Sequence, residues 1–539
     1  MHIETMILSN ESELIKKYKK HDMNIMKYFD YMPYSTYEKR LADLSERQFN
    51  RKDLVKVLQH LNRDWHAPTQ TMENIERLKD ENSVVVIGGQ QAGLLTGPMY
   101  TIHKIISILQ LAKQQEEKLN IPVIPVFWIA GEDHDYDEIN HIYLSDDVRL
   151  KKHQLYQPIE GKPSISNIPK DNDQIKKWLD GVLGSLEETL FTKNLSKQLY
   201  LALEKSNNYV DFFSHIIFTL FEEEGIVLMD SAHPEIRQLE KSHFTKMIEN
   251  QETIASTVYE TKQELEQAGF PIMMDTELNS GHLFYEYQNE RLLLERTEEG
   301  YWTDKADMLH LTTEELVQVV QETPERLSNN VVTRPLMQES LFPTLAFVGG
   351  NGEIAYWSTL KGAFHCLGMN MPPVIPRLSF TLSNTKVKKT LDKLNLNYEA
   401  VLSGETAHKK VNWLKAQTNP PIDLLVHEVQ QAIDLNHEPL RALAHQIQAD
   451  VGQLADANLL RIQREIEFLK QKMSTALESK YAQQIHAFNF VQNVLYPGNH
   501  LQERSWNIVE WINQHGSQFI SDLCKETYSF EAQHYLIEL

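Results

Sequence analysis

Gly89, Gln90, Gln91, Gly93, Thr96 and Gly97 stand close together in the chain, and Tyr100, His103 and Lys104 follow them. Glycines let backbone N–H groups approach a ligand, and the glutamine amides offer both donors and acceptors. Tyr100 and Lys104 are four apart, so a helix puts them on one face with His103 beside them. A helix N-terminus at this point adds a partial positive charge that favours an anion. The spacing matches neither G-x-G-x-x-G nor G-x-x-x-x-G-K-[ST]. The plainer alternative is a tight turn and a lysine that covers apolar helix.

Three further clusters carry chemistry. In "FWIAGEDHDYDEINH", Trp128 precedes Glu132, Asp133, His134 and Asp135. Such a cluster can hold a substrate amine, bind Mg²⁺ or supply a base, or it can be a solvated acidic loop. In "TRPLMQE" and "FVGGNGEIAYWSTLK", Arg334 can clamp a carboxylate and Gln338 lies one helical turn beyond it. Glu353, Trp357 and Lys361 fall at i, i+4 and i+8, along one face of a helix, with Tyr356 adjacent. The alternative there is an internal ion pair with aromatic packing. In "YPGNHLQER", Tyr496, Asn499, Gln502 and Arg504 can line a secondary nucleotide pocket, or the segment is a joint between helices. Cys366 and Cys524 lack C-x-x-C spacing, so a thiolate zinc site is not expected and no metal is predicted. His282 reads as an ordinary surface or packing residue.

These residues need a scaffold. "SVVVIGG" is a short continuous apolar run, as in a strand buried on both faces. The helix "MYTIHKIISILQLAKQQEEKL" and a second buried run, "IPVIPVFWIAG", complete a βαβ unit. Sequential parallel strands pair, so Gln91, Thr96, His103 and Lys104 are expected near Asp133, His134 or Asp135. "GIVLMD", "TLAFVGGNGEIAYWSTLKGAF" and "PPVIPRLSFTL" suggest more of the same α/β core. Segments at about 150–225 and 250–330 read as insertions. From 385 to 505 the chain turns helical. Leu440, Ala444, Ile447, Val451, Leu454, Ile462, Ile466, Leu469, Met473 and Ala476 form a heptad seam, interrupted near Asn458. An antiparallel hairpin or a dimerising coiled coil fits that seam, and a plain bundle is the alternative. The expected domains are therefore 1–384, 385–505 and a segment 506–539 that returns to the core.

The 539 residues are too many for one ordinary domain. The formal charge of −22 disfavours a nucleic-acid partner. No apolar run is long enough for a membrane span, the N-terminus lacks an apolar signal region, and two distant cysteines suit a reducing, cytoplasmic setting.

Taken together, "GGQQAGLLTGPMYTIHKI", "PVFWIAGEDHDYDEINH", "RPLMQESLFPTLAFVGGNGEIAYWSTLKGAF" and "LQER" resemble the bacillithiol-biosynthesis cysteine-adding enzymes, the BshC family, across essentially the whole chain. The resemblance implies a Rossmann-like parallel-sheet core akin to class I nucleotidyltransferases, with connecting-peptide insertions. It also implies a C-terminal coiled coil that pairs two subunits. The implied activity is the last step of bacillithiol synthesis, in which L-cysteine joins the amine of glucosaminyl-malate through an amide bond, with ATP or another nucleotide as a possible energy source. The chain departs from class I synthetases in lacking a KMSKS-like motif, since the Lys-Met-Ser of "LKQKMSTALE" lies on the heptad helix. Asp133, His134, Asp135, His103 and Lys104 are the catalytic candidates. A non-catalytic binding or scaffold protein with a degenerate synthetase-like fold is the competing reading.

Overall fold

The computed structural model describes residues 1–8, 11–146 and 149–539. The chain divides into two compact units. One comprises 1–144, 151–382 and 502–539, and the other 145–150 and 383–501.

The first unit is built on five parallel strands in the order Val374–Pro376, Thr344–Gly349, Val84–Gln90, Val123–Ile129, Val227–Asp230. The apolar runs predicted from sequence occupy these positions, and every residue of the Val123–Ile129 strand is buried. Each fully buried Val, Leu or Ile side chain contributes about 1.5–3 kcal/mol, so both faces of the sheet must be covered. The Tyr100–Leu119 helix makes the crossover from Val84–Gln90 to Val123–Ile129, as the βαβ pattern requires. The chain then adds strands on one side of Val84–Gln90 and later returns to its other side. The order of addition therefore reverses between Val84–Gln90 and Thr344–Gly349. In open α/β sheets, ligands bind beyond the carboxyl ends of the strands at such a switch.

A second sheet, antiparallel, has the order Leu327–Asn329, Ser280–Tyr287, Glu290–Arg296, Trp302–Asp304. A third pairs His2–Met6 with His534–Glu538, and both strands belong to this unit.

In the second unit, helices Ile422–Ile447 and Ala449–Lys480 form a hairpin joined through the extended residue Gln448. Gly452 leaves room beside the turn for the His445 ring, which would have to move if a Cβ stood there, at 2.1 Å. His437 meets Asn458 at 3.0 Å, His445 meets Asp456 at 2.9 Å, and Lys470 meets Asp423 at 3.3 Å, which fixes the antiparallel register. Among the described residues no helix is long and apolar enough to cross a membrane.

Candidate functional site

The carboxyl end of Val84–Gln90 opens into a segment with unusual backbone. Leu95, Thr96 and Gly97 all have positive φ, at 47°, 75° and 69°. Only glycine adopts this region without cost, so two side-chain residues are held there by their surroundings. The holding group is Asn507, whose amide donates to the Leu95 carbonyl at 3.0 Å and the Gly97 carbonyl at 2.7 Å. The same segment occupies the helix entrance, where the Met99 N–H donates to the Trp506 carbonyl at 2.9 Å.

Beside it, the ends of two neighbouring strands meet. Gln91 donates to Asp133 Oδ2 at 2.6 Å, and the His134 N–H donates to Asp133 Oδ1 at 2.7 Å. Arg291, from the antiparallel sheet, lies 3.6 Å from Asp133 Oδ1 and 3.0 Å from His134 Nδ1. Burial alone would raise the Asp133 carboxyl, but the Gln91 amide, the Arg291 charge and the His134 N–H together hold it below its usual range. Burial and then Arg291 lower His134, so its imidazole is neutral at pH 7. Because Arg291 can only donate, Nδ1 is the acceptor and the ring proton sits on Nε2. The pair thus offers an ionised carboxylate beside a neutral hydrogen-bond donor.

At the switch point a chain of buried charges runs beneath the strand ends. Lys104 Nζ donates to the Gly89 carbonyl at 2.7 Å, Gln90 Oε1 at 3.2 Å and Glu353 Oε2 at 2.5 Å. Glu353 also accepts from the Gly350 N–H at 2.9 Å and lies 3.6 Å from Arg334, whose guanidinium donates to the Tyr356 hydroxyl at 2.5 Å. Gly89 is needed here, since a Cβ would stand 2.4 Å from the Trp128 carbonyl. Arg377, at the end of Val374–Pro376, engages both carboxylate oxygens of Glu503. Glu503 also meets His103 Nδ1 at 2.8 Å. Burial pushes Glu503 up, yet Arg377 and His103 outweigh it and keep the carboxyl well below its usual range. Arg377 lies 5.8 Å from the Tyr100 ring centroid.

Several sequence expectations are corrected by this geometry. Lys104 and His103 do not approach the Asp133 cluster. Both are buried and committed to Glu353 and Glu503, so Lys104 meets an anion of its own chain. Thr96 is fully buried in the strained turn. Asp135 is exposed and caps the short Tyr136–Ile139 helix. Trp128 is fully buried in the sheet. The expected face through Glu353, Trp357 and Lys361 does not exist, because the helix breaks into Asn351–Trp357 and Lys361–Cys366. Trp357 stacks on Phe347 at 4.3 Å, and Lys361 pairs with Asp30 and the Lys27 and Phe29 carbonyls. Gln502 is a clamp, with its amide exchanging hydrogen bonds with the Leu382 backbone at 2.8 and 2.9 Å. It falls in the first unit with the exposed Arg504, whereas Tyr496 and Asn499 fall in the second. Gln338 is buried, and neither of its amide atoms finds a partner among the described residues.

Sequence reading missed Arg291, Arg377, Glu503 and Asn507. Arg377 stands directly after "PPVIP", at a strand end, and Glu503 lies inside the quoted "LQER", so a strand-end rule could have found the first. Nothing local marks Arg291 or Asn507.

Burial also raises Asp230 to about 6, opposed by the Ala232 N–H and the Ser166 hydroxyl. A carboxyl raised from its unfolded value contributes stability below about pH 4 that is lost as pH rises through about 6. Asp230→Asn is therefore expected to melt above the wild type at pH 7.5, by up to about 3 kcal/mol, and level with it at pH 4. Equal melts at both pH values would show that Asp230 carries no such penalty.

A parallel-sheet α/β core with charged strand ends and a long helical hairpin define a Rossmann-like protein with a coiled-coil region. Residues 1–378 match the family model for the bacillithiol biosynthesis BshC N-terminal Rossmann-like domain, and residues 380–539 match that for the BshC C-terminal coiled-coil domain. A relative from Oceanobacillus iheyensis is 41% identical over 536 residues, covering 99% of each chain, and carries the name "Putative cysteine ligase BshC". Relatives with that name from Bacillus cereus and Bacillus cytotoxicus are 40% and 39% identical over 98% of each chain. The chain belongs to the BshC family of bacillithiol biosynthesis.

Proposed function

We propose that this protein is the cysteine ligase that completes bacillithiol, joining the carboxyl of L-cysteine to the amine of glucosaminyl-malate through an amide bond. The observation that carries the reading is the Gln91–Asp133–Arg291–His134 cluster at two adjoining strand ends. An ionised carboxylate held at a fixed place can orient an ammonium and take its proton as the C–N bond forms. The His134 Nε2–H is a donor for the carbonyl oxygen as negative charge develops on it. ATP or another nucleotide would supply the activation of the cysteine carboxyl. Arg334 and Arg377 stand at the switch point beside the buried Lys104–Glu353 pair, and among the described residues the salt bridges of these three cations run to the two carboxylates Glu353 and Glu503, a balance that suits an activated carboxyl or a phosphate at that strand end. Purified protein with L-cysteine, glucosaminyl-malate and each nucleoside triphosphate in turn, products read by mass, tests the reading. Amide appearing with one nucleotide supports it. No amide with any, although both substrates bind, would favour the scaffold reading.

The hairpin supplies the homodimer. Leu440, Ile447, Leu454 and Leu469 of the heptad seam are 63%, 68%, 68% and 57% exposed, so the hairpin does not bury its own stripe. A second hairpin offers the same stripe and satisfies both. The protein is expected to sediment as a dimer at micromolar concentration, and Leu454→Lys with Leu469→Lys as a monomer that keeps its helical content. A wild-type monomer would remove the claim.

A further inference from the structure

A cavity of about 320 Å³ opens past the end of Val227–Asp230, next to the Asp133 cluster. Its floor includes Ala232 and Pro234, and its roof is the antiparallel sheet together with the hairpin turn at Gln288 and Asn289. That turn is pinned, because the Asn289 amide donates to the Glu160 carbonyl at 2.6 Å and the Asn289 carbonyl accepts from the Lys162 N–H at 3.0 Å.

The lining has a distinct chemistry. Ala232 and Pro234 are its only apolar members, and it contains no aromatic ring. A nucleobase, which needs a stacking face, is therefore poorly served. Ser164, Asn167, Gln288 and Ser328 present hydroxyl and amide groups. Arg326, Glu286 and Glu325 present charges of both signs, and among the described residues none of the three forms a salt bridge. Among the described residues the Arg326 guanidinium makes one hydrogen bond, to the Tyr285 hydroxyl at 3.0 Å, which leaves most of its side-chain donors available. Arg237, by contrast, is neutralised by Glu132 and Glu240 at 2.5 Å each and serves as wall. The volume is in the range that holds a ligand well above amino-acid size.

Many hydroxyl-directed polar groups, with Glu286 as a further acceptor for hydroxyls, suit a sugar, and the guanidinium of Arg326 suits a carboxylate carried on it. We propose that this cavity is the subsite for such an acidic sugar, with Arg326 taking its carboxylates and Glu286 accepting from its hydroxyls. Arg291 lines the cavity and also reaches Asp133 and His134, so the wall it forms is shared with the reacting cluster. A sugar amine extending past Arg291 arrives beside the Asp133 carboxylate. The assignment rests on the proposed function, in which the amine substrate is a malate-bearing glucosamine, and adds where that substrate sits. It also separates the two substrates, since L-cysteine is too small to fill the cavity and belongs at the switch point.

Calorimetry on the full chain tests this, with glucosaminyl-malate, glucosamine and L-cysteine as probes. Arg326→Gln is expected to weaken glucosaminyl-malate about ten- to a hundred-fold and to leave glucosamine and L-cysteine unchanged. Glu286→Gln should weaken both sugars and spare L-cysteine. Both side chains line open space, so both variants should melt with the wild type. Wild-type binding of all three probes by both variants, in a protein that still forms the amide, would overturn the cavity assignment and leave the proposed function standing. A wild-type protein that neither binds glucosaminyl-malate nor forms the amide would overturn both.

Discussion

Asp133→Asn is expected to lower the rate of amide formation by about 10²–10⁴-fold while the thermal melt stays with the wild type. The substitution keeps the shape of the side chain and its contact with Gln91, and removes only the charge and the capacity to take a proton. Asp133 is partly exposed at the strand end, so its loss leaves no large buried defect. The effect should fall on kcat more than on KM, because the carboxylate acts as the bond forms. His134→Gln should cost less, since that imidazole is restricted to donating from Nε2. A single-turnover rate within a few-fold of wild type in Asp133→Asn would remove Asp133 as the base and leave the cluster a binding site only.

The second large effect concerns Lys104, and it changes sign in kind from what the sequence suggests. Read alone, Lys104 sits on a helix facing a ligand, and its truncation would weaken binding in a well-folded protein. In the structure Lys104 is 1% exposed and its ammonium is held by Glu353, the Gly89 carbonyl and Gln90. Burial lowers its pKa and Glu353 opposes that, so the ion pair is what keeps the charge in place. Lys104→Met strands a buried carboxylate and is expected to destabilise by about 3 kcal/mol, the lower end for a broken buried pair because Arg334 remains near Glu353. The double variant Lys104→Met, Glu353→Gln should recover most of that loss, since a neutral amide no longer needs a counter-ion. Denaturant melts of the two singles and the double decide the matter. Additive losses would show that Lys104 and Glu353 are energetically independent, and an unchanged melt in Lys104→Met would return the residue to the ligand-facing role.

The parallel core was legible because it is encoded locally. "SVVVIGG" and "IPVIPVFWIAG" are apolar without alternation, and that pattern has one comfortable home, a strand covered on both faces. The short spacing of those strands around one helix makes them neighbours, and from this the meeting of Gln91 with Asp133 follows. The heptad seam in 440–476 was legible for the same reason, since a period of three and four is a property of consecutive residues.

What failed to read was pairing over long separations. His103 and Glu503 are four hundred positions apart, and each looks like an ordinary polar residue until the fold brings His103 and Arg377 onto the same Glu503 carboxylate. A lysine and a glutamate carry no mark of whether they will find each other or a ligand, because the choice depends on which groups are excluded from water together. The broken helix after Trp357 is of the same kind. Periodicity placed Glu353, Trp357 and Lys361 on one face, but Trp357 turns inward onto Phe347 and Phe364, and that packing outweighs continuation of the helix. The sequence by itself thus determined the strands of the parallel sheet, the crossover helix, the heptad-bearing helices and the acidic strand end, all of them consequences of local periodicity and side-chain type. Only the tertiary structure decided which charges are spent on each other and which remain for a substrate, because desolvation is a property of the assembled interior and not of any one stretch of chain.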